Sequence, residues 1–297
     1  MKRTMARRSF LNTSAAVVAS IGLARPDGVH LLAAETAKGA PNAEKLGWRL
    51  GIQTYTFNQF TLFDSIDKTA VLGLKYLETF QGQLLSEAHP NARFDSKMSA
   101  DMRTATKKKL ADSGIKLLSH YEVGPFPKLL EFCKDMGMEM LITDAPDGEY
   151  GYHFDTVDKL CAAYGVAVAL TNHPKPSPYS EPEAVLKACK GCSKRIGASA
   201  DLGHWVREGM KPLECLQKLD DRLVQFHFRD MNHHGMDGHD VPLGTGMCDI
   251  RGILAWLHGK SLKPLFMLEC PVSNSFAELA LGIQFFDEVA GSLVAKG

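Results

Sequence analysis

Ionisable residues stand one after another at the carboxyl ends of apolar runs. "KYLETF" (75–80) carries Glu78, "GIKLLSHY" (114–121) carries His120, and "MEMLITDAP" (138–146) carries Asp144. "GVAVALTNHP" (165–174) ends in Asn172 and His173, and "RIGASADLGH" (195–204) ends in Asp201 and His204. "RLVQFHFRD" (222–230) supplies His227, Arg229 and Asp230, and "KPLFMLEC" (263–270) supplies Glu269. One histidine at a strand end is ordinarily a satisfied polar residue; the reading rests on the set. Ionisable groups crowded at one place are costly unless they pair, face solvent or bind metal. Mixed nitrogen and oxygen donors suit Mn²⁺, Zn²⁺, Co²⁺ or Fe²⁺ better than Ca²⁺.

The elements that would carry these groups alternate. With "LGIQTYTF" (50–57) added, eight strand-like runs are separated by stretches of helical spacing near 63–74, 98–113, 126–137, 154–164, 181–190, 212–219, 249–259 and 275–293. Gly73, Gly114, Gly137 and Gly165 each follow a helical stretch, where a left-handed cap ends a helix. The runs are rich in Val, Ile and Leu without polar alternation, as in parallel strands buried on both faces. Eight βα units in about 250 residues predict an α/β fold, a (β/α)8 TIM barrel, with a doubly wound sheet as the alternative. In such a barrel the strand ends converge on one mouth. No linker divides residues 40–297, which are read as a single domain.

Residues 1–39 read differently. Arg7 and Arg8 precede Ser9, Phe10 and Leu11, and a short apolar run, "TSAAVVASIGLA", follows. A basic start, a short apolar stretch and small residues mark a targeting segment, and the paired arginines resemble a twin-arginine export signal to the periplasm. The run is too short to span a bilayer. The whole chain has 34 basic and 34 acidic residues, and removal of 1–39 would leave 28 and 32. That balance offers nothing to nucleic acid. Seven cysteines, with one C-x-x-C at Cys189 and Cys192, lack the second pair of a structural zinc site.

"ADLGHW", "QFHFRD" and "FMLEC" resemble the sugar phosphate isomerase/epimerase family, the xylose isomerase-like TIM barrels, over about residues 48–290. The resemblance implies one divalent ion (Mn, Zn, Co, Fe or Mg) held at strands 5 to 8. Asp201, His227 and Glu269 match three of its ligands, and His204 matches a histidine that touches substrate oxygen. Strand 5 departs from the pattern, because Thr171 stands where the family places a Glu. His173, two residues on, points to the same side of the strand and is the expected fourth ligand. The alternative is a three-residue site completed by water.

The expected chemistry is isomerisation or epimerisation of a keto-sugar through an enediolate, with Glu269 as base. Glu78, His120 or His204 would replace the missing strand 5 acid. Expected substrate contacts are His120, His204, Trp205, Arg229 and His239, the last from the long loop "NHHGMDGHDVPLGTG" (232–246). The alternative is a lyase or dehydratase eliminating a β-oxygen from a keto-sugar, keto-glycoside or inosose. A non-catalytic sugar-binding barrel and an AP endonuclease-like nuclease rank lower, the nuclease because it needs a basic groove. The expected partner is a small sugar, with no nucleic acid and no membrane span. Homo-oligomerisation stays open.

Overall fold

The computed structural model describes residues 38–270 and 276–296. The segment read as an export signal lies, but for its last two residues, outside the described residues. A one-turn helix α1 (Pro41–Lys45) leads into β1 (Arg49–Gln53), α2 (Leu62–Val71) and β2 (Tyr76–Phe80). The hairpin β3 (Gln83–Ser86) and β4 (His89–Phe94) precedes α3 (Ala100–Asp112). Alternation continues through β5 (Lys116–Tyr121), α4 (Phe126–Met136), β6 (Met140–Thr143), α5 (Phe154–Tyr164), β7 (Ala167–Thr171) and α6 (Pro182–Ala188). Next, β8 (Ile196–Asp201) runs directly into α7 (Leu202–Arg207), followed by α8 (Pro212–Leu219) and β9 (Leu223–Phe228). A two-residue pair, β10 (Asp230–Met231) and β11 (Asp240–Val241), precedes α9 (Ile250–Gly259), β12 (Leu265–Leu268) and α10 (Phe276–Val294).

Eight of these strands close a barrel in the order β1-β12-β9-β8-β7-β6-β5-β2, and all their pairings are parallel. The eight apolar runs of the sequence are these eight strands, so the (β/α)8 fold holds. The β3–β4 and β10–β11 hairpins and the helix α7 had no counterpart in the expected element order. Each strand turns alternate residues inward and outward. Outward residues such as Leu50, Ile52, Val168 and Phe226 join the helices in a large outer core. Inward residues Leu118, Met140, Ile142, Ala169, Leu265 and Met267 form a separate apolar floor inside the barrel.

Two strands break the alternation. Between β2 and β5 the register passes from Leu77↔Leu117 to Glu78↔Ser119, leaving Leu118 as an extra residue. Between β8 and β9 it passes from Ala198↔Leu223 to Ser199↔Gln225, leaving Val224 extra. Each is a β-bulge, which lets two successive residues share a face. Leu118 and Val224 stay with the apolar floor. Ser119 and Gln225, one step on, also turn inward and meet the Glu78 carboxylate.

The floor tolerates no added volume at Gly51. A Cβ there would lie 2.5 Å from the Tyr76 carbonyl oxygen and 2.9 Å from the Met267 sulfur. Gly51→Ala is therefore expected to destabilise the fold by about 1–3 kcal/mol through overpacking. Urea unfolding checks this; unchanged stability would show that the floor yields.

Candidate metal centre

Glu78 lies at the centre of the barrel with no solvent exposure. Its Oε2 accepts hydrogen bonds from Ser119 Oγ at 2.8 Å and from Gln225 Nε2. Its Oε1 accepts from His227 Nε2 at 2.7 Å. All three donors come from other strands, and two of them face inward because of the bulges. With Nε2–H committed to Glu78, the His227 Nδ1 lies on the opposite edge of the ring. That edge faces Glu269 Oε2 at 3.5 Å and Asp201 Oδ2 at 3.9 Å.

Asp201 divides its two oxygens between structure and site. Its Oδ1 accepts from the backbone N–H of His204 at 2.8 Å and so caps α7. Asn172 pins the Asp201 backbone, accepting from its N–H at 2.7 Å and donating to its carbonyl at 2.9 Å. Oδ2 is left facing the barrel mouth. The three-residue spacing in "DLGH" is thus the spacing of a cap and the N–H it holds. The glycine between them has its own cause. A Cβ on Gly203 would lie 2.7 Å from the Arg229 side chain, which crosses there.

Arg229 is buried and multiply bound. Its Nε and Nη2 donate to the two oxygens of Asp240 at 2.7 and 2.8 Å, a paired geometry that fixes the guanidinium plane. Its Nη1 reaches Glu269 Oε1 at 3.1 Å and Asp201 Oδ2 at 3.3 Å. Asp240 belongs to β11 in the long loop after β9, so the loop holds Arg229 and Arg229 holds two acids. Asp230 shapes the far side of that loop by accepting from the N–H groups of Met231, Gly244, Gly246 and Cys248.

Asp201, Asp240 and Glu269 are three buried carboxylates around the buried Arg229 guanidinium, Glu78 is a fourth behind His227, and Arg207 Nη2 reaches Asp240 Oδ2 at 3.6 Å. Ionisation responds to the imbalance. Burial would depress the His227 imidazole, but Glu78, Glu269 and Asp201 outweigh it and push it up to about 9. Burial raises the Glu269 carboxyl above its usual range against the pull of Arg229 and His227. Burial also opposes ionisation of Asp201, yet His204, Arg229 and His227 hold it well below the carboxylate range. Ligand atoms from Asp201, His227 and Glu269 lie within 4.8 Å of one another. Two carboxylate oxygens and an imidazole nitrogen, with negative charge in excess and the imidazole's far nitrogen already tied, fit a divalent cation.

The other expected site residues fall elsewhere. His173 is outside this group of ligand atoms, and its Nδ1 is bonded to Asp144 Oδ2 at 2.9 Å. His120 follows the β5 bulge and points outward, between Thr79 and Glu122 and edge-on to Phe94 and Phe132, so it is a buried structural residue and no substrate contact. Trp205 is packed in the outer core at 1% exposure, because the segment after β8 is a helix that turns it inward. Glu78 is sealed behind His227 and supports it. His239 is exposed on the loop, its backbone N–H bonded to Asn232. His204 borders the site, with Nε2 3.5 Å from Asp201 Oδ2. Thr171 is buried, and its hydroxyl has no partner among the described residues. Ser119, Gln225 and Asp240 carried no signal in the sequence beyond polarity, since bulges and loop folding bring them in.

The sequence pattern of the xylose isomerase-like TIM barrel family matches residues 126–289, and the chain belongs to that family. No curated protein matches the chain. Among solved structures, a protein of Parabacteroides distasonis is 29% identical, with a TM-score of 0.65 over 81% of this chain and 98% of its own. A D-tagatose 3-epimerase-like protein is 15% identical, with a TM-score of 0.63 over 84% of this chain and 99% of its own. A xylose isomerase-like TIM barrel protein from Mycobacterium smegmatis in complex with magnesium is 14% identical, with a TM-score of 0.65 over 83% and 98%.

The shifts set a pH dependence for the metal-free protein. His227 is raised from 6.5 to about 9, so its contribution is complete below 6.5 and is lost as pH rises through 9. His204, depressed from 6.5 to about 3 by burial, acts at the other end. Below 6.5 the unfolded chain gains a proton that the folded chain refuses, so stability falls toward pH 3. Melting temperature should therefore decline on both sides of neutrality. His227→Gln should flatten the alkaline decline in calorimetry; an unaltered decline would reject the assigned pairing.

Proposed function

We propose that the chain is a divalent-metal-dependent isomerase or epimerase of a keto-sugar, moving a proton at the carbon beside the carbonyl. The observation that carries this reading is the convergence of Asp201, His227 and Glu269 at the mouth of the barrel, their ligand atoms within 4.8 Å. A divalent ion held by these three residues would act as a Lewis acid on the substrate carbonyl.

The remaining work falls to the chain's own groups. Glu269, with Oε1 3.1 Å from Arg229 Nη1 and Oε2 3.5 Å from His227 Nδ1, is held at the mouth as the base. Arg229 fixes where the Glu269 and Asp201 oxygens lie, and Asp240 fixes Arg229. His204 is neutral near pH 7, since burial holds it to about 3. Its Nδ1 accepts from Arg207 Nη1 at 3.2 Å, so the proton sits on Nε2, which lies 3.5 Å from Asp201 Oδ2 and would donate to a substrate oxygen held beside it. The fold shared with the D-tagatose 3-epimerase-like protein and with the magnesium complex supports sugar chemistry and a divalent ion. No helix among the described residues is long and apolar enough to cross a membrane. A mouth bounded by strand ends and lined by the buried Asp201, His227 and Glu269 suits a small molecule better than a polymer.

Metal analysis followed by deuterium uptake from heavy water into a panel of keto-hexoses and keto-glycosides tests the reading. Asp201→Asn and His227→Ala should each lose the metal. Glu78→Gln should weaken its binding about 10–100-fold, as loss of a support behind a ligand does. Glu269→Gln should stop exchange while the fold persists. Full metal content in the Asp201 and His227 variants would remove the site. Release of an unsaturated ketone in place of an epimer or isomer would assign β-elimination instead.

We further propose export to the periplasm by the twin-arginine route, on the strength of Arg7 and Arg8 ahead of the apolar run. Replacing both arginines by lysine should leave the protein in the cytoplasmic fraction. Undiminished recovery from the periplasm would refute the route.

A further inference from the structure

A proton exchanged at one face of a carbon leaves a question about the other face. Epimerisation needs a second group that returns the proton from the side opposite the base. Strand β7 offers no acid for this, for Thr171 stands there with a buried, unpartnered hydroxyl. Two residues further on, His173 carries a support that its surroundings do not otherwise explain. Its Nδ1 lies 2.9 Å from Asp144 Oδ2, and Tyr121 Oη donates to Asp144 Oδ1 at 2.9 Å. Three successive barrel strands, β5, β6 and β7, each contribute one member of this chain.

The direction of the bonds is fixed. Asp144 accepts at both oxygens. Burial works to raise its carboxyl, but the hydrogen bonds from His173 and Tyr121 more than offset this and leave it below the usual range. An ionised Asp144 requires the proton on His173 Nδ1, so the Nε2 lone pair is free. No protein group among the described residues pairs with Nε2. The His173 side chain is 39% exposed, while Asp144 is 22% exposed. A histidine so open to water would satisfy its polar atoms without an ordered partner. The ring is nevertheless steered by Asp144 and flanked by Tyr121 at 5.7 Å and His204 at 5.2 Å between centroids. Ordering a half-exposed imidazole in this way matches the design of an oriented base.

Placement agrees with the role. Glu269 follows β12, and β7 is separated from β12 by β9 and β8 on one side and by four strands on the other. The two groups therefore approach the mouth from different sides, with His204 between them. Resting on the keto-sugar reading given above, we infer that His173 is the second acid–base group of the site and that the reaction is epimerisation. In one direction the Glu269 carboxylate takes the proton from the carbon beside the carbonyl, and the C–H electron pair moves to the carbonyl oxygen. Protonated His173 then gives its Nε2 proton to the opposite face, the electron pair returns to carbon, and the carbonyl is restored. In the other direction neutral His173 removes the proton and protonated Glu269 supplies one. Asp144 and Tyr121 are positioning residues.

His173→Ala separates this role from the others. The metal-loaded variant, given keto-hexoses and keto-glycosides in heavy water, should still exchange the proton through Glu269. Epimer formation should fall about 100-fold or more, the usual scale for a lost acid–base group. Added imidazole should restore part of it, which a purely structural role would not allow. Metal content should equal that of the parent protein, since His173 lies outside the Asp201–His227–Glu269 group. Asp144→Asn should slow epimerisation with exchange retained and should displace the pH–rate profile. Parental epimerisation in His173→Ala, or loss of its metal, would overturn the inference alone. Isomerisation without any epimer in the parent protein would also overturn it, because one base suffices for that reaction, while leaving the keto-sugar reading intact. Absence of exchange by the parent protein on every substrate would remove both.

Discussion

A single buried carboxylate organises the mouth of this barrel. Glu78 has no access to water, so its charge must be met entirely by protein donors. Ser119, Gln225 and His227 supply them from β5 and β9. The chain departs from regular strand geometry twice to do so, with one extra residue in each of those two strands. An unbroken alternation would have turned Ser119 and Gln225 toward the helices. The bulges satisfy the carboxylate, the carboxylate orients the His227 ring, and the ring offers its Nδ1 to Asp201 and Glu269. Each step constrains the next, so the geometry of the group depends on β2 and β5, which place no residue in it.

A second layer of constraint comes from the loop after β9. Arg229 neutralises part of the charge on Asp201 and Glu269, but a lone guanidinium on a long stem would pay entropy to stay there. Asp240 removes that freedom by binding two of its nitrogens, and Gly203 leaves room for its stem. Asp230 folds the far part of the same loop through four backbone N–H groups. The balance still leaves more carboxylates than cations. Truncating one partner of such a buried network is costlier than its net stabilisation suggests, because the others are left unpaired. The site is thus stable as a set and poised to accept further positive charge.

The sequence carried the barrel clearly, because parallel strands buried on both faces leave long apolar runs and the helices between them keep their own period. It also carried the convergence of Asp201, His227 and Glu269, since a residue at the end of such a run must reach the mouth. What it lost were consequences of small changes in register. Counting along "KLLSHY" places His120 at the mouth, but the extra Leu118 turns it outward beneath the β3–β4 hairpin. Trp205, an expected substrate contact, lies on α7, which sends it into the core. Asp240 lies in a stretch without periodicity, where only the folded loop brings it to Arg229. His173 faces the expected way, yet its Nδ1 is claimed by a neighbouring strand's Asp144, and no pattern within one strand reveals a partner on another.

That last case bears on how charge is distributed around the mouth. A carboxylate at Thr171, which pairs in register with Ser199 two residues before Asp201, would add to a negative charge already in excess. A threonine there adds none, and its methyl suits the apolar wall of the barrel. Asp144, one strand over, is partly open to water and shared with Tyr121. There it supports an imidazole instead of facing the ligand cluster. The charge burden at the centre falls, and an oriented titratable group at the mouth is kept. Thr171 and the Tyr121–Asp144–His173 chain are thus two parts of one electrostatic arrangement.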